Sequence, residues 1–95
     1  MRLLPTEHKD IMNLLKEAGL DNEILLTKKT GWVHLKHEGE VFSFHRKKVT
    51  SLDSGKFIDS LEYYVGTPRK PEKVENWLEV TEQLKAWLEK YFYQN

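Results

Sequence analysis

The sequence predicts a single α+β domain spanning residues 1–95, ordered α-β-β-β-α-α, and three observations carry this reading. Apolar and polar residues alternate on both sides of Glu38-Gly39, the period-two pattern of half-buried strands. Apolar residues recur at helical spacing before and after that stretch. The chain has only 95 residues and no cysteine, so one hydrophobic core without disulfides must hold it.

Pro5-Thr6 followed by Ile11, Leu14, Leu15 and Ala18 predicts a first helix, with Thr6 as N-cap and Gly19 as its left-handed stop. Glu23–Lys28, with Ile24, Leu25 and Leu26 at its centre, is too short for a helix and reads as a strand. The hairpin occupies Thr30–Val49 and organises the rest. A two-residue loop at Glu38-Gly39 pairs Leu35 with Phe42 and Val33 with Phe44, and sets Trp32 opposite His45, His34 opposite Ser43 and Lys36 opposite Val41. A slip of one residue would oppose apolar to polar side chains, which specifies the register. A tight turn at Lys29-Thr30 then pairs Leu26 with Val33 and Ile24 with Leu35. The expected antiparallel meander, residues 23–48, has Ile24, Leu26, Val33, Leu35, Phe42 and Phe44 on its inner face, packed by the first two helices. Its outer face carries Leu25, Thr27, Trp32, His34, Lys36, Val41, Ser43 and His45, and three of these are apolar enough to call for partial cover.

Leu52-Asp53-Ser54-Gly55 reads as a turn with an N-cap at Asp53 or Ser54. Phe57, Ile58, Leu61, Tyr64 and Val65 then share one face of a second helix, which Gly66 closes. Thr67–Pro71 is an extended linker, and a third helix starts at Pro71 and runs to about Tyr93. Val74, Trp77, Leu78, Thr81, Leu84, Leu88 and Phe92 form its stripe. Val80, Trp87 and Tyr91 widen that stripe to about half the circumference, against about 100° for an ordinary core-facing helix.

Composition narrows the function classes. Formal net charge is zero, from 15 basic and 15 acidic residues, yet residues 28–48 hold six basic, two acidic and three of the four histidines. A neutral chain is not a general polyanion binder, because most such affinity comes from neutralising phosphates. No apolar run reaches the roughly 20 residues of a membrane span, and the first ten residues lack a signal-peptide core. A soluble cytoplasmic protein with no membrane partner is expected.

No catalytic residue, metal or cofactor is expected either. Ser43, Ser51, Ser54 and Ser60 sit in no GxSxG context, and the five glycines form no phosphate loop. Period two puts His34 and His45 on one face and His37 on the other, so the three cannot converge on a metal without a bulge.

Two constellations bear on binding. Lys28, Lys29, Lys36, Arg46, Lys47 and Lys48, with Trp32, His34 and His45, combine cations and rings as single-stranded nucleic-acid platforms do. The plainer reading is a solvated strand end whose lysines discourage edge-to-edge aggregation. Val80, Trp87 and Tyr91 form a strip that fits half of a two-fold dimer or a docking site, or else packs on the outer sheet face. The expectation is a non-catalytic protein-interaction module of adaptor or inhibitor type, binding a protein partner or itself as a homodimer. The alternative is RNA or single-stranded DNA binding through the basic hairpin.

The order helix, meander, helix from Ile11 to Gly66, with LLKEAG at 14–19, KTGWVHLKHEG at 29–39, FHRKK at 44–48 and the segment after Ser54, resembles the double-stranded-RNA-binding-like fold. Within that fold it resembles the HicA family of small messenger-RNA-cleaving toxins. The family's Gly-Ser-His at the start of the second strand is replaced here by Gly31-Trp32-Val33, with His34 one position late. The resemblance therefore implies the fold and not the ribonuclease activity.

Overall fold

The computed structural model describes residues 3–20 and 31–92, and the backbone of 25–29. Seven elements follow in order: α1 (Pro5–Glu17), β1 (Leu25–Lys29), β2 (Trp32–His37), β3 (Glu40–Asp53), β4 (Lys56–Gly66), β5 (Pro71–Val74) and α2 (Trp77–Tyr91). The strands form one antiparallel sheet in sequence order. The α+β class with an antiparallel meander stands as expected, but among the described residues the sheet has five strands and there are two helices.

The central hairpin folds as its alternation dictates. All five expected β2–β3 pairs, from Trp32–His45 to Lys36–Val41, are in register. Glu38 and Gly39 both take positive φ, 49° and 82°, the primed turn whose twist suits a two-residue hairpin. The β1–β2 backbone register is offset by two positions from the expected one, with Leu26 opposite Leu35 and Lys28 opposite Val33. The shift of two positions leaves the alternation in phase. Ile24, the β1 side chains and the Asp21-Asn22 boundary lie outside the described residues.

The expected second helix is a strand. Asp53 pairs with Lys56, and Ser54 and Gly55 make a second primed turn with φ 51° and 77°. Phe57, Ile58, Tyr63, Tyr64 and Val65 are ring-bearing or β-branched residues that fit a pleated surface. The helical spacing of the apolar residues competed with a period-two reading through Phe57, Leu61, Tyr63 and Val65, and β3 decides between them by running on to Asp53 as a pairing partner. The helix that supported the double-stranded-RNA-binding-like order is thus absent.

Thr67–Lys70 is a turn, closed by hydrogen bonds between Thr67 and Lys70, and Pro71 opens β5 in place of a helix. A proline is tolerated at the start of an edge strand, where a missing N–H costs no ladder bond. The last helix starts only at Trp77, where the Asn76 Oδ1 accepts from the Glu79 N–H at 3.0 Å. At α1, Pro5 occupies the first turn and Leu4 the cap position assigned above to Thr6, while Gly19 takes the expected left-handed conformation just past the end.

Both helices lie on the inner face. Val33, Leu35, Phe42, Phe44, Tyr63, Val65 and Val74 from the sheet pack with Ile11, Leu15 and Leu20 and with the α2 row Val80, Leu84 and Leu88. The two helices are tied together where the Trp77 Nε1–H donates to Asp10 Oδ2 at 2.8 Å. Leu78, expected in the α2 core stripe, faces outward beside a shallow groove of about 310 Å³ lined by Asp10, Asn13, Leu14 and Thr81.

Candidate interaction surface

β3 and β4 outrun their neighbours. β2 pairs with β3 only from Glu40 to His45, and β5 pairs with β4 only from Tyr63 to Gly66. Beyond those limits Lys47–Asp53 and Lys56–Glu62 pair only with each other among the described residues, forming a two-stranded arm rooted at the Arg46–Tyr63 pair on a molecule measuring 53 × 26 × 20 Å. Every residue from Thr50 to Leu61 is exposed. Four of them are large and apolar: Leu52, Phe57, Ile58 and Leu61, with Phe57 at 79% and Leu52 at 67% exposure.

The strand register sorts the arm into two faces. Arg46–Tyr63, Lys48–Leu61, Thr50–Asp59 and Leu52–Phe57 continue the inner face, while Lys47–Glu62, Val49–Ser60 and Ser51–Ile58 continue the outer one. Polar side chains bridge the strands between the apolar ones. Asp59 accepts from the Thr50 hydroxyl at 2.8 Å and pairs with Lys48 Nζ at 3.2 Å, and these contacts, the hydroxyl first, hold its carboxyl below the usual range.

The root of the arm is anchored from below. Glu7 on α1 is 1% exposed and its carboxylate accepts from the Leu4 N–H at 2.9 Å, from the Tyr63 hydroxyl at 2.8 Å and from the Arg46 guanidinium. Arg46 and Tyr63 are opposite one another at the root of the arm. Burial, and then the hydrogen bond to Glu7, push the Tyr63 phenol up to about 12. This cluster fixes where the arm leaves the body.

The nine residues of the basic hairpin do not make one surface. Strand alternation sends Lys47 to the outer face and Arg46 and Lys48 to the inner one, where they meet Glu7 and Asp59. The run that reads as a single cationic patch is thereby split. Trp32, His34, Lys36, His45 and Lys47 share the outer face. Lys28 and Lys29 fall opposite Val33 and Trp32 in the backbone register, and their side chains lie outside the described residues.

Across the outer face Trp32 stacks on His45 at 5.4 Å, and His45 leans on Tyr64 at 6.0 Å. Trp32 is only 7% exposed, so little ring is left for a base. The His45 Nδ1 is hydrogen-bonded to the Gly31 carbonyl, and His34 Nδ1 shares a 2.6 Å hydrogen bond with the buried Ser43 hydroxyl. Glu62 accepts from Lys73 Nζ at 2.9 Å and from the Tyr64 hydroxyl at 3.0 Å, and these two, in that order, lower its pKa. Tyr64, Glu62 and Lys73 were missed in the sequence because β4 and β5 both read as helix. Their signal was the period-two pattern through Glu62 and Tyr64.

The α2 strip also divides. Val80 is 1% exposed and belongs to the core, which corrects its assignment to a partner surface: it sits in the same i, i+4, i+8 row as Leu84 and Leu88. Trp87 is partly buried against the inner face, 5.9 Å from Phe42 and 5.0 Å from Phe92, so the extra apolar width of α2 packs on the inner and not the outer side of the sheet. Tyr91 alone remains well exposed, at 43%, with Lys90 Nζ over its ring.

Among the described residues no group of three histidines, cysteines or acids could hold a metal ion, and no helix is long and apolar enough to cross a membrane. No protein-family model, curated protein or solved structure matches the chain.

Proposed function

We propose that this chain is a non-catalytic protein-interaction module whose engaging element is the β3–β4 arm. The observation that carries this reading is the exposure of Leu52, Phe57, Ile58 and Leu61 on a ribbon that no helix covers among the described residues. An isolated two-stranded ribbon is marginally stable in water, and large apolar side chains left uncovered on both of its faces support its being a surface that another protein covers. The buried Glu7–Arg46–Tyr63 cluster supports the reading by holding the arm at a set angle, so that less order is lost on binding.

A photo-crosslinking residue in place of Phe57 tests it in cells, with the same residue in place of the exposed Lys85 on α2 as control. Discrete adducts at 57 and none at 85 are expected. No adduct at 57 removes the arm as an interaction element.

A second reading, binding of single-stranded RNA on the outer sheet face, is favoured by the Trp32–His45–Tyr64 row flanked by Lys36, Lys47 and Lys73. It is the weaker one because Glu62 neutralises part of that charge and Trp32 is covered. Retention of short RNA that falls steeply with salt and is lost in Lys36→Glu/Lys47→Glu would establish it.

A further inference from the structure

We propose that the free edge of β4 pairs with the same edge of a second copy, antiparallel, about a two-fold axis at Asp59. The inference rests on the arm being the interaction element and adds what occupies it.

The two edges of the arm differ. From Lys56 to Glu62 no strand pairs with the outer side of β4 among the described residues, which leaves a row of N–H and C=O groups able to template another strand. That edge holds no proline, and between Phe57 and Glu62 it holds no lysine. The opposite edge, on β3, carries Lys47 and Lys48, the charges that commonly guard strand edges.

Lys56–Glu62 is moreover complementary to itself. Read antiparallel about Asp59, KFIDSLE sets Lys56 opposite Glu62, Phe57 opposite Leu61 and Ile58 opposite Ser60. Opposite charges and apolar pairs directly across a ladder stabilise it. Moving the axis to Ile58 would set Phe57 against Asp59, and moving it to Ser60 would set Ile58 against Glu62 and Asp59 against Leu61. The chosen register costs one like-charge contact between the two Asp59 side chains. Each of these is turned toward its own Lys48 and Thr50, which offsets that repulsion.

The faces match as well. Phe57 and Leu61 lie on the same side of the arm as Leu52, so pairing would place Leu52, Phe57 and the other copy's Leu61 in one apolar row across three strands, with a symmetric row on the far side of the Asp59 pair. A four-stranded ribbon crosses the size at which a sheet becomes independently stable. Seven residues span only about 24 Å of edge, so the contact is small and the dimer should dissociate on dilution.

The chain has no cysteine, so one introduced thiol reports one position. Directly opposed residues of antiparallel strands have Cα atoms about 4.5–5.5 Å apart, within disulfide reach. Asp59→Cys should therefore form a disulfide-linked dimer at least tenfold faster than Lys85→Cys, and adding Phe57→Lys and Leu61→Lys should return it to the control rate. An Asp59→Cys rate equal to that of Lys85→Cys, or one unmoved by the two lysines, overturns the proposal. The crosslinker at position 57 separates the two failures. Adducts to other proteins together with a control-rate thiol overturn self-pairing and leave the arm as the interaction element, whereas no adduct at 57 removes both.

Discussion

Glu7→Ala removes the carboxylate on which the root of the arm depends, and the cost can be worked from its contacts. Glu7 and Tyr63 are buried and the Arg46 side chain is 14% exposed, so the substitution takes the carboxylate away from a guanidinium and a phenol in a poorly hydrated site. Removing one partner of a buried ion pair costs about 3–5 kcal/mol. The partial exposure of Arg46 places this case near the lower end, and loss of the bond to the Leu4 N–H adds about 1 kcal/mol, for a total of about 4 kcal/mol. For a domain of this size that is roughly a 16–32 °C fall in Tm.

Urea and thermal unfolding followed by tryptophan fluorescence would read it directly, since Trp77 packs on Tyr63 at 5.6 Å. A Glu7→Leu/Arg46→Met double variant should recover most of the loss, because replacing a buried pair by apolar residues of similar volume is often neutral or stabilising. If Glu7→Ala costs less than about 0.5 kcal/mol, within the range of an ordinary surface substitution, the buried cluster is not what holds α1 under the arm.

Two further outcomes follow from the same geometry. Tyr63 titrates near 12 in the folded chain against an ordinary 10, so the stability it contributes is complete below pH 10 and is lost as pH rises from 10 through 12; Tyr63→Phe should flatten that part of the stability profile, and an unchanged alkaline slope would refute the assignment. Val80→Asp should unfold the domain by burying an unpaired charge, whereas Tyr91→Ser should stay within about 0.5 kcal/mol of the parent in urea denaturation; similar effects from both would contradict the division of the α2 strip.

What was legible in the sequence was local. The Glu38-Gly39 turn and the alternation around it determine the β2–β3 register, because a primed two-residue turn and a one-sided apolar pattern leave no other pairing. The α+β class and the two flanking helices follow from apolar periodicity in the same way. Residues 56–66 carried two periodicities at once, and local chemistry could not choose between them. The choice was made by β3, whose far half offers hydrogen bonds that a helix there would have left unpaired.

The candidate surface shows the same division. Each hydrophobic residue of the arm is visible in the sequence, but their exposure is a consequence of β2 and β5 ending early, which no window of the chain reports. Likewise Arg46-Lys47-Lys48 reads as one charge run, and only strand pairing sends its members to opposite faces, to be met by Glu7 on α1 and Asp59 on β4. Residue type and spacing thus determined which groups this protein has to work with. Long-range pairing decided which of them face solvent, because burial depends on partners that lie far away in the chain.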